Sequence, residues 1–543
     1  MKPIAAIVAL SALPLLAAQP VTIHVDASKV TGPWRPVWSY FGYDEPNYTT
    51  AKYGRKLIGE LAELGPVHVR THNLLTTGDG RYALKWGSTN AYTETADGEP
   101  VYDWKILDGI FDTWVHAGIV PFVEIGFMPE ALSTHPEPYK HDWPRTKLET
   151  GWSYPPKDYD KWAELVRQWV RHAVARYGLA EVKKWSWEVW NEPDIFYWQG
   201  TPNEYFKLYD VSVRAVKSVS PDLRVGGPAT TGPAGKNGGP YLRQFLEHCA
   251  RTGVPLDFVS YHAKGHPEIV NGHEQMGLSA NLRDVAAGLA ILAAFPQYRN
   301  LPIVLSESDP EGCGACSART HPANAYRNGS LYPAYTAASF ASILKLADRA
   351  HANIEGMLTW AFEFEDQPYF DGFRTLATNG IDKPLLNLFR MEARMHGDRV
   401  QVESDGALPL DDIVQHGVRE KPYIDAIATK SGKTVSILVW NYHDEDVDVP
   451  PSELSLAIDG LPPAAKRVHF SYCNIDANHS NSWTAWKQMG EPQQPTPAQY
   501  AALEKAGQLG TPGPGLDVAT SQGSLSMELK LPREAVSLIQ INW

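Results

Sequence analysis

Short apolar runs alternate with amphipathic stretches through the first two thirds of the chain. Between residues 37 and 380, eight runs fit strands: 38–41, 67–70, 120–125, 185–190, 224–226, 258–261, 303–306 and 356–360. The run at 185–190 has strand period, with Trp185, Trp187 and Val189 on one face. It stops at Asn191-Glu192-Pro193, because proline offers no backbone donor to a ladder. Helical period lies between the strands. The clearest case is 159–177, where Trp162, Leu165, Val166, Trp169, Val170, Ala173, Val174 and Tyr177 form one stripe and Gly178 follows. Helices also fit 53–64, 105–117, 204–219, 241–251, 277–294 and 334–350. Repeated β/α units predict an α/β fold, a (β/α)8 TIM barrel, over 37–385. No Gly-x-Gly-x-x-Gly follows the first strand, which argues against a dinucleotide-binding sheet.

Beyond residue 385 the period becomes that of strands. Runs 424–429 and 434–441 flank Ser431-Gly432, a hairpin signal, and 468–473, 524–531 and 536–543 also alternate. An antiparallel β-sandwich is expected over 386–543, joined by an N-terminal strand within 21–36. A polar, proline-rich insertion at 474–520 carries one short helix near 497–506. At the start, Met1-Lys2 and the apolar residues 4–16 fit a signal peptide of residues 1–18, hence a periplasmic or secreted protein. No later run of about 20 apolar residues predicts a membrane span.

The 543 residues suffice for both domains. The 18 Trp and 25 Tyr suit clefts that stack on sugar rings, although a large barrel also buries many such residues. A formal charge of −13 argues against nucleic acid as a partner. Cys313-Gly-Ala-Cys316 fits a short-loop disulfide or two free thiols better than a redox motif or a zinc site. No metal or organic cofactor is implied.

Barrel active sites lie past the C-terminal ends of the strands. Those positions hold Arg70 and His72, Glu124 and Phe127, Asn191 and Glu192, His262 and Lys264, Glu307 and Asp309, and Trp360 with Glu363 and Glu365. Strands four and seven face each other across the mouth, so Glu192 and Glu307 form a carboxylate pair. Glycoside hydrolysis needs such a pair, one carboxyl to protonate the leaving oxygen and one to attack or to activate water. From the residues alone, Glu192 also fits a salt bridge at a strand end.

Six motifs in order resemble glycoside hydrolase family 39. They are Val69-Arg70-Thr71-His72, Glu124-Ile125-Gly126-Phe127-Met128-Pro129, Trp190-Asn191-Glu192-Pro193, Gly226-Gly227-Pro228, Asp257-Phe258-Val259-Ser260-Tyr261-His262 and Pro302-Ile303-Val304-Leu305-Ser306-Glu307. The resemblance implies Glu192 as acid/base, Glu307 as retaining nucleophile and Asn191 as the grip on the sugar 2-hydroxyl. It implies His72 and His262 as hydroxyl contacts, and Phe127 and Trp360 as aromatic walls. Core packing is the other reading for His72, His262 and Phe127. Arg70 is expected to pair with the nucleophile, and Glu124 to support from behind.

The sugar is less defined. Thr359-Trp360-Ala361-Phe362 resembles the bacterial β-xylosidase branch, implying terminal β-D-xylose as substrate. Lys264, Asp309-Pro310 and Arg374-Thr375-Leu376 resemble the α-L-iduronidase branch, and a lysine with an arginine would suit a uronic acid. Lys264 also fits a pair with Asp309. An arabinoside and a non-catalytic carbohydrate-binding barrel are the remaining alternatives.

Overall fold

The computed structural model describes residues 20–543 apart from 84–85, 139, 144–145, 150, 311–315, 361, 363–364, 374–375, 511–512 and 514. The expected signal peptide, Cys313, Glu363 and Arg374 lie outside the described residues.

Eight parallel strands close a barrel in chain order: Tyr40–Tyr43, His68–Thr71, Val120–Ile125, Ser186–Val189, Arg224–Thr230, Phe258–Lys264, Ile303–Asp309 and Ile354–Trp360. The TIM barrel expected from the periodicity is the fold. The fourth strand shows why. Trp187 packs edge-on against Trp169 of helix Tyr159–Tyr177 at 5.4 Å, while Glu188 turns into the lumen toward Arg70. Asp158 caps that helix by accepting from the backbone N–H groups of Asp160 and Lys161. Its buried stripe includes Trp162, Leu165, Trp169 and Val170, each worth about 1.5–3 kcal/mol of burial. The lumen floor is apolar, formed by Tyr40, Phe122, Phe258, Val304, Leu358 and Trp360. Gly42 makes room there, because a Cβ would lie 2.4 Å from the Trp360 ring.

Three strands run further than the apolar runs that announced them. Hydrogen-bonded pairing continues through His262↔Glu307 and Lys264↔Asp309. These residues therefore stand inside the sixth and seventh strands, not beyond them, because the ladder tolerates polar residues where the lumen opens to water. The first strand lies two residues later than expected, at Tyr40–Tyr43. The fourth ends before Trp190, whose φ of 72° turns the chain out of strand geometry.

The C-terminal part is a nine-stranded, mostly antiparallel, sandwich-like sheet. Val21–Pro33 lies within it, antiparallel to Asp398–Ser404 and parallel to Ser452–Asp459. Its own core includes Ile23, Val25, Ile437, Leu456 and Ile539. It docks on helix Leu331–Ala350, where Lys345 Nζ lies 2.6 Å from Asp425 Oδ2. The insertion reaches back to the loop after the eighth strand, packing Trp486 and Leu503 with Phe370 and Ile381. Cys316 is disulfide-bonded, and Cys249 and Cys473 are buried free thiols. Among the described residues no helix is long and apolar enough to cross a membrane.

Candidate active site

Positive φ angles at Trp190 (72°) and Glu192 (42°) replace strand alternation with a twist that aims both Asn191 and Glu192 into the mouth. Such angles are uncommon for bulky side chains and persist where the surroundings enforce them. Here the Glu192 N–H donates to Ala229 O at 2.9 Å, and Trp190 Nε1–H donates to Tyr197 O at 2.9 Å.

Arg70 is the electrostatic hub. It is fully buried. Its Nε donates to Glu188 at 2.6 Å, one terminal nitrogen to Glu307 at 3.2 Å, and the other to Asn191 Oδ1 and Glu124, each at 3.0 Å. Burial opposes its charge, but the carboxylates, led by Glu188, more than restore it. Because arginine only donates, Asn191 must turn its oxygen to Arg70. Its amide nitrogen is left with no hydrogen-bond partner among the described residues and free to donate into the cavity.

Glu307 is gripped from several sides. Lys264 Nζ lies 2.8 Å from Oε2, His262 Nδ1 3.8 Å from Oε2, and His72 Nε2 3.6 Å from Oε1. Burial pushes its carboxyl up, yet His262, Lys264, His72 and Arg70 together hold it well below the ordinary carboxylate range. Glu192 accepts a partner of its own, His262 Nδ1, at 2.8 Å from Oε1. One oxygen of Glu192, one nitrogen of His262 and one oxygen of Glu307 all lie within 4.8 Å of one another. These three could hold a metal ion geometrically, but the Lys264 ammonium already supplies cationic charge beside Glu307. Lys264 also pairs with Asp309 at 2.6 Å. Burial alone would lower the His72 ring, but Glu124 against Nδ1 raises it.

These groups surround a cavity of about 420 Å³. Six of the residues expected from sequence line it: His72, Asn191, Glu192, Lys264, Glu307 and Trp360. His262 and Asp309 stand behind them. Phe127 also stands behind, packed edge-on to Trp190 at 5.2 Å and stacked on Tyr197 at 5.9 Å. Glu365 does not line the cavity; it accepts from the Tyr53 N–H at the start of helix Lys52–Ala62.

Sequence reading missed Asp44, Tyr197, His266 and Asp284, which also line the cavity. Asp44 Oδ1 lies 3.3 Å from His72 Nε2. It follows the first strand directly, and ending that strand at residue 43 would have exposed it. Asp284 comes from helix Leu278–Ala293 and accepts from the backbone N–H groups of Ala234 and Lys264 at 3.0 and 3.4 Å. Burial raises its carboxyl to about 6. A polar residue in an amphipathic helix carries no mark of such a role.

The chain is 28% identical over 509 residues to a β-xylosidase of Geobacillus stearothermophilus, covering 90% of this chain and 88% of the relative. It is 25% identical over 556 residues to an α-L-iduronidase of Homo sapiens, covering 93% and 77%. A crystal structure of a monomeric β-xylosidase from Caulobacter crescentus shares the fold with a TM-score of 0.76 at 24% identity, over 96% of this chain and 99% of that one. Residues 21–512 match the family described as Glycosyl hydrolases family 39, so the chain belongs to that family and is a glycoside hydrolase.

Proposed function

We propose that the enzyme is a retaining exo-glycosidase that removes terminal β-D-xylose from xylo-oligosaccharides by double displacement. The observation that carries this reading is the close approach of Glu192 and Glu307, with an oxygen of each within 4.8 Å. Carboxyl groups about 5–5.5 Å apart go with retention, and about 6.5–9.5 Å with inversion. The two environments divide the roles. Glu307, held ionised by the cations around it, attacks the anomeric carbon. As that bond forms, the glycosidic bond breaks and Glu192 gives its proton to the leaving oxygen. Water then attacks the same carbon, Glu192 takes the water's proton, and Glu307 is released. The Asn191 amide donates toward the 2-hydroxyl, a contact that strengthens as positive charge develops on the ring.

The β-xylosidase relatives support xylose as the sugar. The cavity lies toward the small end of ligand pockets, about 300–1,000 Å³, which suits a short glycoside. A uronic-acid reading draws on Lys264 in the cavity wall and on the iduronidase relatives. It ranks second, because that ammonium already faces Asp309 and Glu307. The test is Glu307→Ala assayed on nitrophenyl xyloside, arabinosides and a uronide with added azide. The expected result is an α-xylosyl azide, of inverted configuration, from the xyloside alone. Rescue on the uronide instead would move the sugar assignment, and rescue giving a β-azide would overturn Glu307 as nucleophile.

A further inference from the structure

We propose that Phe196 and Tyr197 form the leaving-group subsite, a stacking platform for the second pyranose ring of the substrate. The assignment rests on Glu192 acting as the proton donor. A proton donor must reach the glycosidic oxygen at about 2.6–3.2 Å, so the departing sugar sits on its side of the mouth.

The cavity wall is divided accordingly. Asp44 and His72 directly follow the first and second strands, Trp360 ends the eighth, and the three line one arc. Tyr197, Thr231, Gly232 and His266 follow the fourth, fifth and sixth strands and line the other. The second arc begins at Glu192 itself, since the Ile195 N–H donates to Glu192 O at 3.2 Å. It is also braced. Asp194 accepts from the Thr231 N–H at 2.9 Å and from its hydroxyl, tying the fourth-strand loop to the fifth.

On this arc an aromatic path leads outward. Tyr197 lines the cavity and is backed by Phe127. Phe196 lies against Tyr197 with ring centroids 4.5 Å apart and is 47% exposed. A large apolar ring that is half-exposed beside a catalytic cavity, on a loop pinned at both ends, fits the C–H face of a sugar. His266 supplies a polar partner at the rim. Burial and the nearby Lys264 lower its ring below the ordinary histidine value, which keeps it neutral and able to bond a hydroxyl.

The test compares two substrates of the same glycone. A disaccharide fills the subsite with a ring, whereas a glycosyl fluoride leaves it empty. The ratio of their kcat/KM values therefore isolates the subsite. In Phe196→Ala the disaccharide-to-fluoride ratio should fall about three- to tenfold, the worth of one aromatic contact. Phe196→Trp should hold the ratio. An unmoved ratio in Phe196→Ala, or an equal fall in Phe196→Trp, would overturn the assignment. Both substrates are built on whichever sugar the wild-type enzyme cleaves. A glycone other than xylose would then refute the xylosidase reading while the ratio still judges the subsite.

Discussion

Replacing Arg70 with methionine tests whether the hub carries stability and catalysis separately. Arg70 touches three buried carboxylates, but two of them keep other partners. Glu307 retains Lys264 at 2.8 Å, and Glu124 retains His72. Glu188 is the exception. Its ion pair is with Arg70 at 2.6 Å, and its second oxygen already lacks a hydrogen-bond partner among the described residues. The substitution therefore strands one buried charge rather than three. Leaving a single such charge costs about 3–5 kcal/mol, or a melting temperature lower by roughly 3–4 °C in a chain of 543 residues. The double variant Arg70→Met/Glu188→Met should regain most of that loss, because an apolar pair of similar volume replaces a buried ion pair with little net cost. Activity should not return with it, since Glu307 and Asn191 have both lost a donor. Tryptophan fluorescence melts and kcat/KM on the same samples give both readouts. Arg70→Met melting like wild type, or a double variant no more stable than the single one, would refute the reasoning.

Glu392 offers a test of burial alone. It closes helix Pro384–Glu392, and burial raises its carboxyl to about 8. A carboxyl raised in the folded state contributes fully below its unfolded value of about 4.3 and is progressively lost as pH climbs to about 8. Glu392→Gln removes that slope. Its melting temperature should equal wild type at pH 4 and exceed it by a margin that grows to pH 8; a margin independent of pH would contradict the assignment. Lys264→Met should lower kcat/KM about tenfold or more, because the nucleophile loses its charge-assisted bond at 2.8 Å. Adding Asp309→Asn should recover part of this by removing the buried carboxylate left without its ammonium. A double variant less active than the single one would argue that Asp309 serves the substrate directly.

Much of the barrel was legible because its strands and helices obey one period each. Helix Tyr159–Tyr177 has the bounds its apolar stripe predicts, since an aspartate caps it and a glycine ends it. The strand ends were less legible for a physical reason. Apolar alternation records burial, and the strands stop being apolar where they enter the mouth while their pairing continues. His262, Lys264, Glu307 and Asp309 are strand residues for this reason. Asp44 was hidden by the same effect at the first strand. Arg70, Glu124 and Glu188 converge from three neighbouring strands through ladder register, with Glu124 opposite Glu188, and no motif in one segment encodes that meeting.

The division between reaction and substrate follows from where each is encoded. Glu307 sits in the seventh strand, and Asn191 and Glu192 sit on the turn directly after the fourth, so strand pairing fixes their separation and the ordered motifs carry the chemistry. The leaving-group arc is loop, where residues such as Phe196 and His266 obey no period and their spacing carries no signal. The glycone side lies between these extremes. Lys264 alone reads as a receptor for a carboxylate. Its structural partners change that reading, because Asp309 is buried at 2.6 Å and Glu307 lies at 2.8 Å. A sugar carboxylate would have to join two carboxylates already on one ammonium, whereas a neutral pentose brings no further charge to it. That balance favours the neutral sugar, and it rests on the pair Lys264–Asp309 rather than on either residue alone.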